Sequence, residues 1–301
     1  MDLHETTVRE TEKPLENQKS EVSDREIAPN EDRNELRLFN KKAECGEAEA
    51  CGQETAETAF AETKTHMLDE YGEVMSESHR AALESAEATS TLTVLSETDY
   101  ASRFPEVDPN VLGHCDAEGN IFMKEASEER ISHVSTHETL HLCADREVND
   151  TPYGGETIIG GVHEIELSTE GTVVRDESRG INEGLTELYT IRELESRGEV
   201  DAAYSFEAYS ESRMWAQRLE ELVGKERLEG AYFGGDREGL KQEVIRLSDG
   251  DEEAWTRFSE NIDKVEYSGD ARVVETANME LSEQYINMLL RKDILEREAT
   301  K

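Results

Sequence analysis

Two histidines stand four residues apart in SEERISHVSTHETLHLCADR, the stretch that covers residues 127–146. Residues at this spacing lie on one face of a helix, so His137 and His141 would present two imidazoles to one point. A divalent metal can bridge such a pair, and Zn²⁺ is the usual occupant of a nitrogen-rich, tetrahedral site. Glu138 follows His137 directly and would reach a water held by that metal without binding the metal itself.

A second pair of charged residues at helical spacing lies in INEGLTELY, residues 181–189. Glu183 and Glu187 are four apart beside the apolar Leu185 and Leu188, which favours burial of the other side of the helix. A carboxylate that faces the two imidazoles would complete a His₂Glu zinc site and leave the fourth position open for water. Glu187, one turn later, could accept the free N–H of a ligand histidine.

Both motifs require helices, and the sequence around each predicts one. Ser127 can cap the first helix, and two glutamates follow it in the first turn, where the helix dipole favours acids. Apolar residues recur at near-helical spacing, and neither proline nor glycine interrupts residues 127–146. The second helix is predicted over residues 181–197, directly after Gly180.

Short strands are predicted around these helices, because β-branched and aromatic residues alternate with turn signals. Beyond Asp201, apolar residues recur only at helical spacing, which predicts an all-helical C-terminal part. The fold class predicted is therefore α+β. The predicted strands, the last four of which form two hairpins, are 91–95, 111–115, 120–124, 158–167 and 172–175.

The chain has 301 residues, of which 71 are acidic and 32 basic, so its net charge is −39. Such a surface repels phosphate backbones and anionic lipids, which argues against binding to nucleic acid or to a membrane. The opening residues, MDLHETTVRE, lack the features of a secretory signal, and no apolar run approaches membrane-spanning length. We therefore expect a cytoplasmic protein, and export by a route that needs no N-terminal signal stays open.

The N-terminal region differs from the rest of the chain in composition. Residues 1–40 are rich in glutamate without a sustained apolar period, which predicts disorder. Residues 41–89 are rich in alanine and glutamate with a thin apolar face, which predicts a solvated, partly helical tail or linker. The folded part is expected to begin near Thr91. Cys45 and Cys51, six residues apart, are interpreted as thiols without a ligand role.

The two motifs together resemble those of the gluzincins, the thermolysin-like clan of zinc metallopeptidases. In that clan H-E-x-x-H is followed by a helix carrying N-E-x-x-[ST]-[DE], and here the corresponding residues read HETLH and NEGLTE. The chain is also similar to small, uncharacterised bacterial zincin-like proteins with a GxNEGxTE motif. The resemblance implies roles position by position: zinc ligands His137, His141 and Glu183, general base Glu138, and supporting residues Glu187 and Asn182.

The resemblance also implies a zincin-like fold, with small sheets or hairpins packed on the HExxH helix and the second ligand helix. We expect an acidic N-terminal region over 1–89, a catalytic subdomain over 90–200 and a helical C-terminal subdomain over 201–301. In zincins an edge strand above the metal helix pairs with the peptide substrate. The strand at 121–124 is the candidate for that role.

The sequence departs from thermolysin in two respects. The interval from His141 to Glu183 is longer, and no histidine follows His163 that could stabilise the oxyanion, so a tyrosine, an arginine or the zinc alone must serve. Tyr209 is the first choice, with Tyr189 and Tyr204 behind it.

Three further histidines and one cysteine are predicted to take no part in the chemistry. His133 lies four residues before His137, but the position of Glu138 argues against a His133–His137 metal pair, so His133 is interpreted as packing. His114 and His163 are expected to be hydrogen-bonded in their hairpins, and Cys143 is expected to be a small buried residue.

The function that these observations favour is that of a zinc-dependent metallopeptidase, in which Glu138 activates a water held by zinc to hydrolyse peptide bonds. Its partner would be a peptide or protein substrate, and the acidic surface favours basic targets. The alternative is a non-catalytic zinc-binding protein, an inactive zincin-like scaffold whose acidic tail binds a partner.

Overall fold

Two small sheets and a set of helices make up the described part of this computed structural model. That part is residues 52–300, apart from 88–90, 106, 108, 117–118, 153 and 207–208. The tract 1–40 predicted to be disordered, together with Cys45 and Cys51, lies outside the described residues. The fold is thus a mixed α+β one, with a helical C-terminal part as the apolar periodicity predicts.

The described residues form eleven helices and seven strands. The strands are β1 (Leu92–Leu95), β2 (Gly113–Cys115), β3 (Ile121–Lys124), β4 (Arg146–Asp150), β5 (Glu156–Gly160), β6 (His163–Leu167) and β7 (Val173–Glu177). The helices are α1 (Gln53–Tyr71), α2 (Glu77–Ser85), α3 (Glu97–Arg103), α4 (Glu128–Cys143), α5 (Arg179–Ser196), α6 (Val200–Ala203), α7 (Ser210–Val223), α8 (Lys225–Tyr232), α9 (Arg237–Leu247), α10 (Ala254–Tyr267) and α11 (Ala271–Ala299).

The first sheet has three strands in the order β1-β3-β2. The predicted hairpin is confirmed, because β2 and β3 pair antiparallel, and β1 adds to the other side of β3 in parallel. The expectation that 121–124 is an edge strand is wrong. β3 is the central strand, and its four residues are all buried. The sequence predicted the local hairpin but not β1 as a second, parallel partner.

The second sheet is a meander of four antiparallel strands in the order β4-β5-β6-β7. The predicted single strand over 158–167 is instead two strands, β5 and β6, which turn back on each other at Gly161 and Val162. Gly161 has φ of +59°, and a Cβ there would meet Asn182 Oδ1 at 2.4 Å, so a glycine is required. The hairpin of β6 and β7 agrees with the prediction.

Helix α4 is enclosed on several sides, since every residue from Ile131 to Leu140 is buried. One cover is α1, whose buried residues follow helical spacing and include Phe60. Ser135 Oγ donates a hydrogen bond of 2.8 Å to the carbonyl of Ala56, which ties the two helices together. The expectation of a solvated tail over 41–89 is therefore wrong for α1. The apolar face of α1 is thin because much of it is made of small residues, and these let the helix approach α4 closely.

Helices from both sides of residue 201 share the largest hydrophobic core, which extends from Met67 on α1 to Met288 on α11. Helices α5 and α7 cross at Gly184, where a Cβ would lie 2.4 Å from the backbone carbonyl of Ser212. This close approach brings the start of α7 towards the polar face of α5. Among the described helices, none combines the length and apolar character that a membrane crossing needs.

Candidate metal centre

Three side chains from α4 and α5 converge on one point. Glu183 Oε2 lies 3.3 Å from Nε2 of His137 and 3.3 Å from Nε2 of His141. The possible ligand atoms of the three residues all lie within 4.8 Å of one another. We call His137, His141 and Glu183 the metal triad. The spacing of two imidazoles four residues apart on α4 places them side by side, with ring centroids 4.9 Å apart.

Two of the three separations within the metal triad fit a tetrahedral ion. Zinc binds histidine nitrogen and carboxylate oxygen at about 2.0–2.2 Å, so two ligand atoms on one tetrahedral ion lie about 3.4 Å apart. The two measured separations of 3.3 Å agree with that value. Two nitrogens and one oxygen are also a common ligand set for zinc, and they leave one coordination position free.

Glu187 supports the metal triad from the next turn of α5. Its Oε2 accepts a hydrogen bond of 3.2 Å from His137 Nδ1, which leaves Nε2 of that ring directed towards Glu183. The same oxygen lies 3.2 Å from His133 Nε2. His133 is therefore not only packing. Because a carbonyl can only accept, His133 Nδ1 donates the hydrogen bond of 3.1 Å to the carbonyl of Ala202. His133 thus links Glu187 to α6.

Charge in this buried cluster is balanced between imidazoles and carboxylates. Burial opposes the charged form of His137, but the hydrogen bonds that its ring donates to Glu183 and Glu187 outweigh burial and raise its pKa to about 10. Burial alone would raise the pKa of Glu183, yet the charge on His141 and the bond from His137 hold it well below the usual range. The pKa of Glu187 falls to about 2, because His133 and His137 outweigh its burial. Protons and a metal ion would compete for His137.

A cleft of about 480 Å³ opens over the metal triad. Glu138 lies on its wall beside the three residues of the triad, and it is itself largely buried. The second sheet also lines the cleft, with apolar residues such as Ile158 and Ile165. The cleft thus combines a convergent set of polar groups with an apolar surface, the usual make-up of a small-molecule or peptide site.

Tyr209 lies next to the metal triad, and the other two tyrosines considered do not. Its ring lies nearly parallel to that of His137, with centroids 5.7 Å apart and planes inclined by 16°. Its φ of 49° is left-handed, a strained conformation for a bulky side chain that the surrounding packing must hold. Tyr189 is buried among aromatic rings away from the cleft, and the exposed Tyr204 donates to Glu195 at 2.7 Å.

Asn182 is not a member of the metal triad, and it supports the site by binding the backbone of a neighbouring turn. Its Oδ1 accepts a hydrogen bond of 3.1 Å from the backbone N–H of Val162, in the turn between β5 and β6. This bond fixes the second sheet against the start of α5, beside Glu183. The second sheet, which lines the cleft, and Glu183 are therefore held in fixed positions relative to each other.

Several residues that line the cleft were not placed there by sequence reasoning. His163 was expected to be satisfied within its hairpin, and its Nε2 does lie 2.6 Å from Asp176 Oδ1, but its ring also lines the cleft. Arg146 and Arg179 line it as well. No local pattern indicates these positions, because they depend on how the second sheet docks against α4 and α5.

Two other expectations can be compared with the structure. His114 is hydrogen-bonded as expected, but its partner lies outside its hairpin: Nδ1 lies 2.5 Å from the hydroxyl of Tyr100 on α3, within an aromatic cluster that includes Phe104 and Phe122. Cys143 is fully buried, and burial raises the pKa of its thiol. Neither residue belongs to the metal triad.

No family model, no curated protein and no solved structure matches this chain. The gluzincin resemblance is therefore a hypothesis that depends on the two motifs and on the geometry of the site.

Proposed function

We propose that this protein is a zinc-dependent peptidase of gluzincin type with a zincin-like fold. The observation that carries the proposal is the convergence of the metal triad, with Glu183 Oε2 at 3.3 Å from both imidazoles. His137, His141 and Glu183 would hold the ion. When bound, zinc would supply a Lewis acid that polarises a substrate carbonyl and lowers the pKa of a water.

Glu138 is the general base in this proposal. It follows His137 on α4 and lines the same cleft, so its carboxylate would accept a proton from the attacking water. The same carboxyl would then pass that proton to the leaving amine. Glu187 would keep the Nδ1–H of His137 in place throughout, so that the ring presents Nε2 to the site.

The first sheet offers a strand for an extended substrate. Among the described residues β2 has one strand neighbour, β3, and all three residues of β2 line the cleft. A peptide that adds to the outer edge of β2 would have its backbone aligned by main-chain hydrogen bonds. The second sheet would contact the substrate side chains through Ile158 and Ile165. We therefore propose β2, in place of β3, as the strand that binds substrate.

A fluorogenic peptide library tests the proposal. We expect the purified protein to cleave at least one peptide, to lose cleavage on chelation and to regain it with zinc. Glu138→Gln should keep stoichiometric zinc and lose at least about a thousandfold in kcat/KM, because no carboxylate remains to accept the proton. Glu129→Gln is the matched control, since Glu129 is an exposed acid in the first turn of the same helix.

The second candidate is a non-catalytic zinc protein, and burial of the ligands favours it. The exposed side-chain fractions of His137, Glu183 and His141 are 8%, 15% and 20%, so an ion there would cross-link α4 to α5 within the core. Stoichiometric zinc, unfolding on chelation and no cleavage of any library peptide would support this candidate and contradict the peptidase.

A further inference from the structure

The last helix of the protein, α11, has two apolar faces. One face carries the buried Ala277, Leu281 and Met288 and packs into the core. The other carries Met279, Ile286, Leu290 and Ile294, whose exposed fractions are 61%, 54%, 59% and 46%. Their spacing of seven, four and four residues keeps them in one stripe on the side away from the core. We call these four residues the outer stripe.

The outer stripe is a concentration of apolar surface, not a scatter of single residues. Of the twelve large hydrophobic residues exposed in the described part of the chain, six lie on α11. The helix is also a weakly charged surface in a chain of net charge −39. It has four basic and six acidic residues, a net charge of 4 − 6 = −2. A contiguous apolar stripe on such a protein marks an interaction surface.

We propose that two copies of this chain pair through the outer stripe, with their α11 helices antiparallel and Ile286 at the two-fold axis. In that arrangement residue 286 − n faces residue 286 + n of the other copy. Met279 then lies opposite residue 293 and beside Ile294 of the second copy, Leu290 lies opposite Ser282, and the two Ile286 side chains contact each other. The centre and the two ends of the outer stripe therefore meet apolar partners, as an isologous interface requires.

The charges on α11 favour the antiparallel direction. Residues 271–285 contain three acids and one base, whereas residues 286–299 contain three of each. An antiparallel pair places Glu275 opposite Arg297, and Glu280 within one residue of Arg291, on the second copy. A parallel pair would place each glutamate opposite itself, which is repulsive. The weak net charge of the helix also lets two acidic chains approach here with less repulsion than elsewhere.

Light scattering coupled to size-exclusion chromatography measures the predicted dimer. At about 0.15 M salt, where charges are screened beyond about 8 Å, we expect a mass of twice the 34.0 kDa of the chain. Ile286→Glu should weaken the dimer by about 100-fold, because two buried carboxylates would meet at the axis. Leu290→Lys should do the same. Val74→Glu, at an exposed valine outside α11, is the control and should remain dimeric.

Cysteine pairing tests the direction of the helices. A mixture of Met279→Cys and Ile294→Cys proteins should form a disulfide-linked dimer on mild oxidation, and Met279→Cys alone should form far less. The wild type run beside them reports any linkage by the four native cysteines. A monomeric wild type, a dimer insensitive to both stripe variants, or equal linkage by Met279→Cys alone would overturn the proposal. Chelation of zinc should leave the dimer intact, so this test is independent of the peptidase test.

Discussion

Two hollows in this protein are lined by carboxylates, and they differ in what surrounds those carboxylates. One is the cleft over the metal triad. The other, which we call the acidic groove, has a volume of about 650 Å³ and lies between the first turns of α1 and α4 and the short α6. The acids that line the groove are Glu54, Glu62, Glu128, Glu129, Glu199 and Asp201.

The groove has more acids, yet the cleft has the convergent site. Five of the six groove acids are exposed, and the half-buried Glu199 has an ion pair of 2.8 Å with Arg197. At the cleft, Glu183 is largely buried, Glu187 behind it is fully buried, and both are bonded to imidazoles. Among the described residues, only the metal triad forms a group suited to an ion. Exposed carboxylates are stabilised by water, whereas buried ones require counter-charges, which are supplied here by the neighbouring imidazoles.

The largest effect should come from removing a carboxylate of the metal triad. Glu183→Ala should lower zinc affinity by about a thousandfold, because two imidazoles alone hold the ion. Competition with a chromogenic chelator measures the affinity. Glu199→Ala in the acidic groove is the counterpart and should leave affinity unchanged. Equal loss in both variants would show that the number of acids, not their burial, sets metal binding.

A second effect separates two groups on the wall of the cleft that could stabilise an oxyanion. Tyr209→Phe should lower kcat by about 100-fold with little change in KM, as expected for a donor used only in the transition state. His163→Gln should lower kcat by less than about tenfold, because Asp176 already occupies its Nε2. Steady-state kinetics on a peptide found in the library measure both. The reverse order of effects would move the donor from Tyr209, the residue before α7, to the second sheet.

A smaller effect tests the support given by Glu187. Glu187→Gln should lower zinc affinity by about 10- to 100-fold, because the neutral amide holds the His137 ring with a weaker bond. The matched control is Glu193→Gln on the same helix, whose buried carboxylate bonds to His66 away from the cleft. The control should change stability but not zinc affinity. An unchanged affinity in Glu187→Gln would reduce that residue to a packing role.

The smallest effect concerns Asp263, a half-buried carboxylate outside the metal triad. Asp263 Oδ1 accepts a hydrogen bond of 2.6 Å from the backbone N–H of Gly180, and burial raises its pKa to about 6. The folded state therefore binds the proton more tightly than the unfolded state, and stability falls as pH rises from about 4 to about 6. At pH 7 the free energy of unfolding of Asp263→Asn should be about 1 kcal/mol higher than that of the wild type.

That difference should vanish below about pH 4, where Asp263 is protonated in both states. Urea unfolding at several pH values measures it. Glu260→Gln, an exposed acid on the same helix, is the control and should show no such trend. A stability gap that is constant with pH would mean that the substitution acts through packing and not through charge.

The parts of the site that the sequence predicted are those fixed by helical spacing. The pairs His137–His141 and Glu183–Glu187 each lie on one helix, so a local rule places each pair on one face. The expectation that α4 and α5 face each other came from the resemblance of the two motifs to those of the gluzincins. Their approach in the structure depends on contacts between distant residues, such as the bond from Asn182 to Val162.

The parts that could not be predicted are those set by tertiary packing. The run IIGGVHEIEL has the apolar content of one strand, and only the left-handed Gly161 beside Asn182 divides it into β5 and β6. The same division places His163 on the wall of the cleft. Helix α1 has so few large apolar residues that its composition resembles a tail. Its burial follows from α4, which offers it small polar partners such as Ser135.

The cover that α1 provides has a practical consequence for anyone who produces this protein. Composition alone would set an expression boundary near residue 90, after the glutamate-rich stretch. A fragment cut there would leave the Ser135 hydroxyl without the carbonyl of Ala56 and would expose the apolar surface that Phe60 shields. Such a fragment would aggregate, and an assay on it would return a false negative whatever the full-length protein can do.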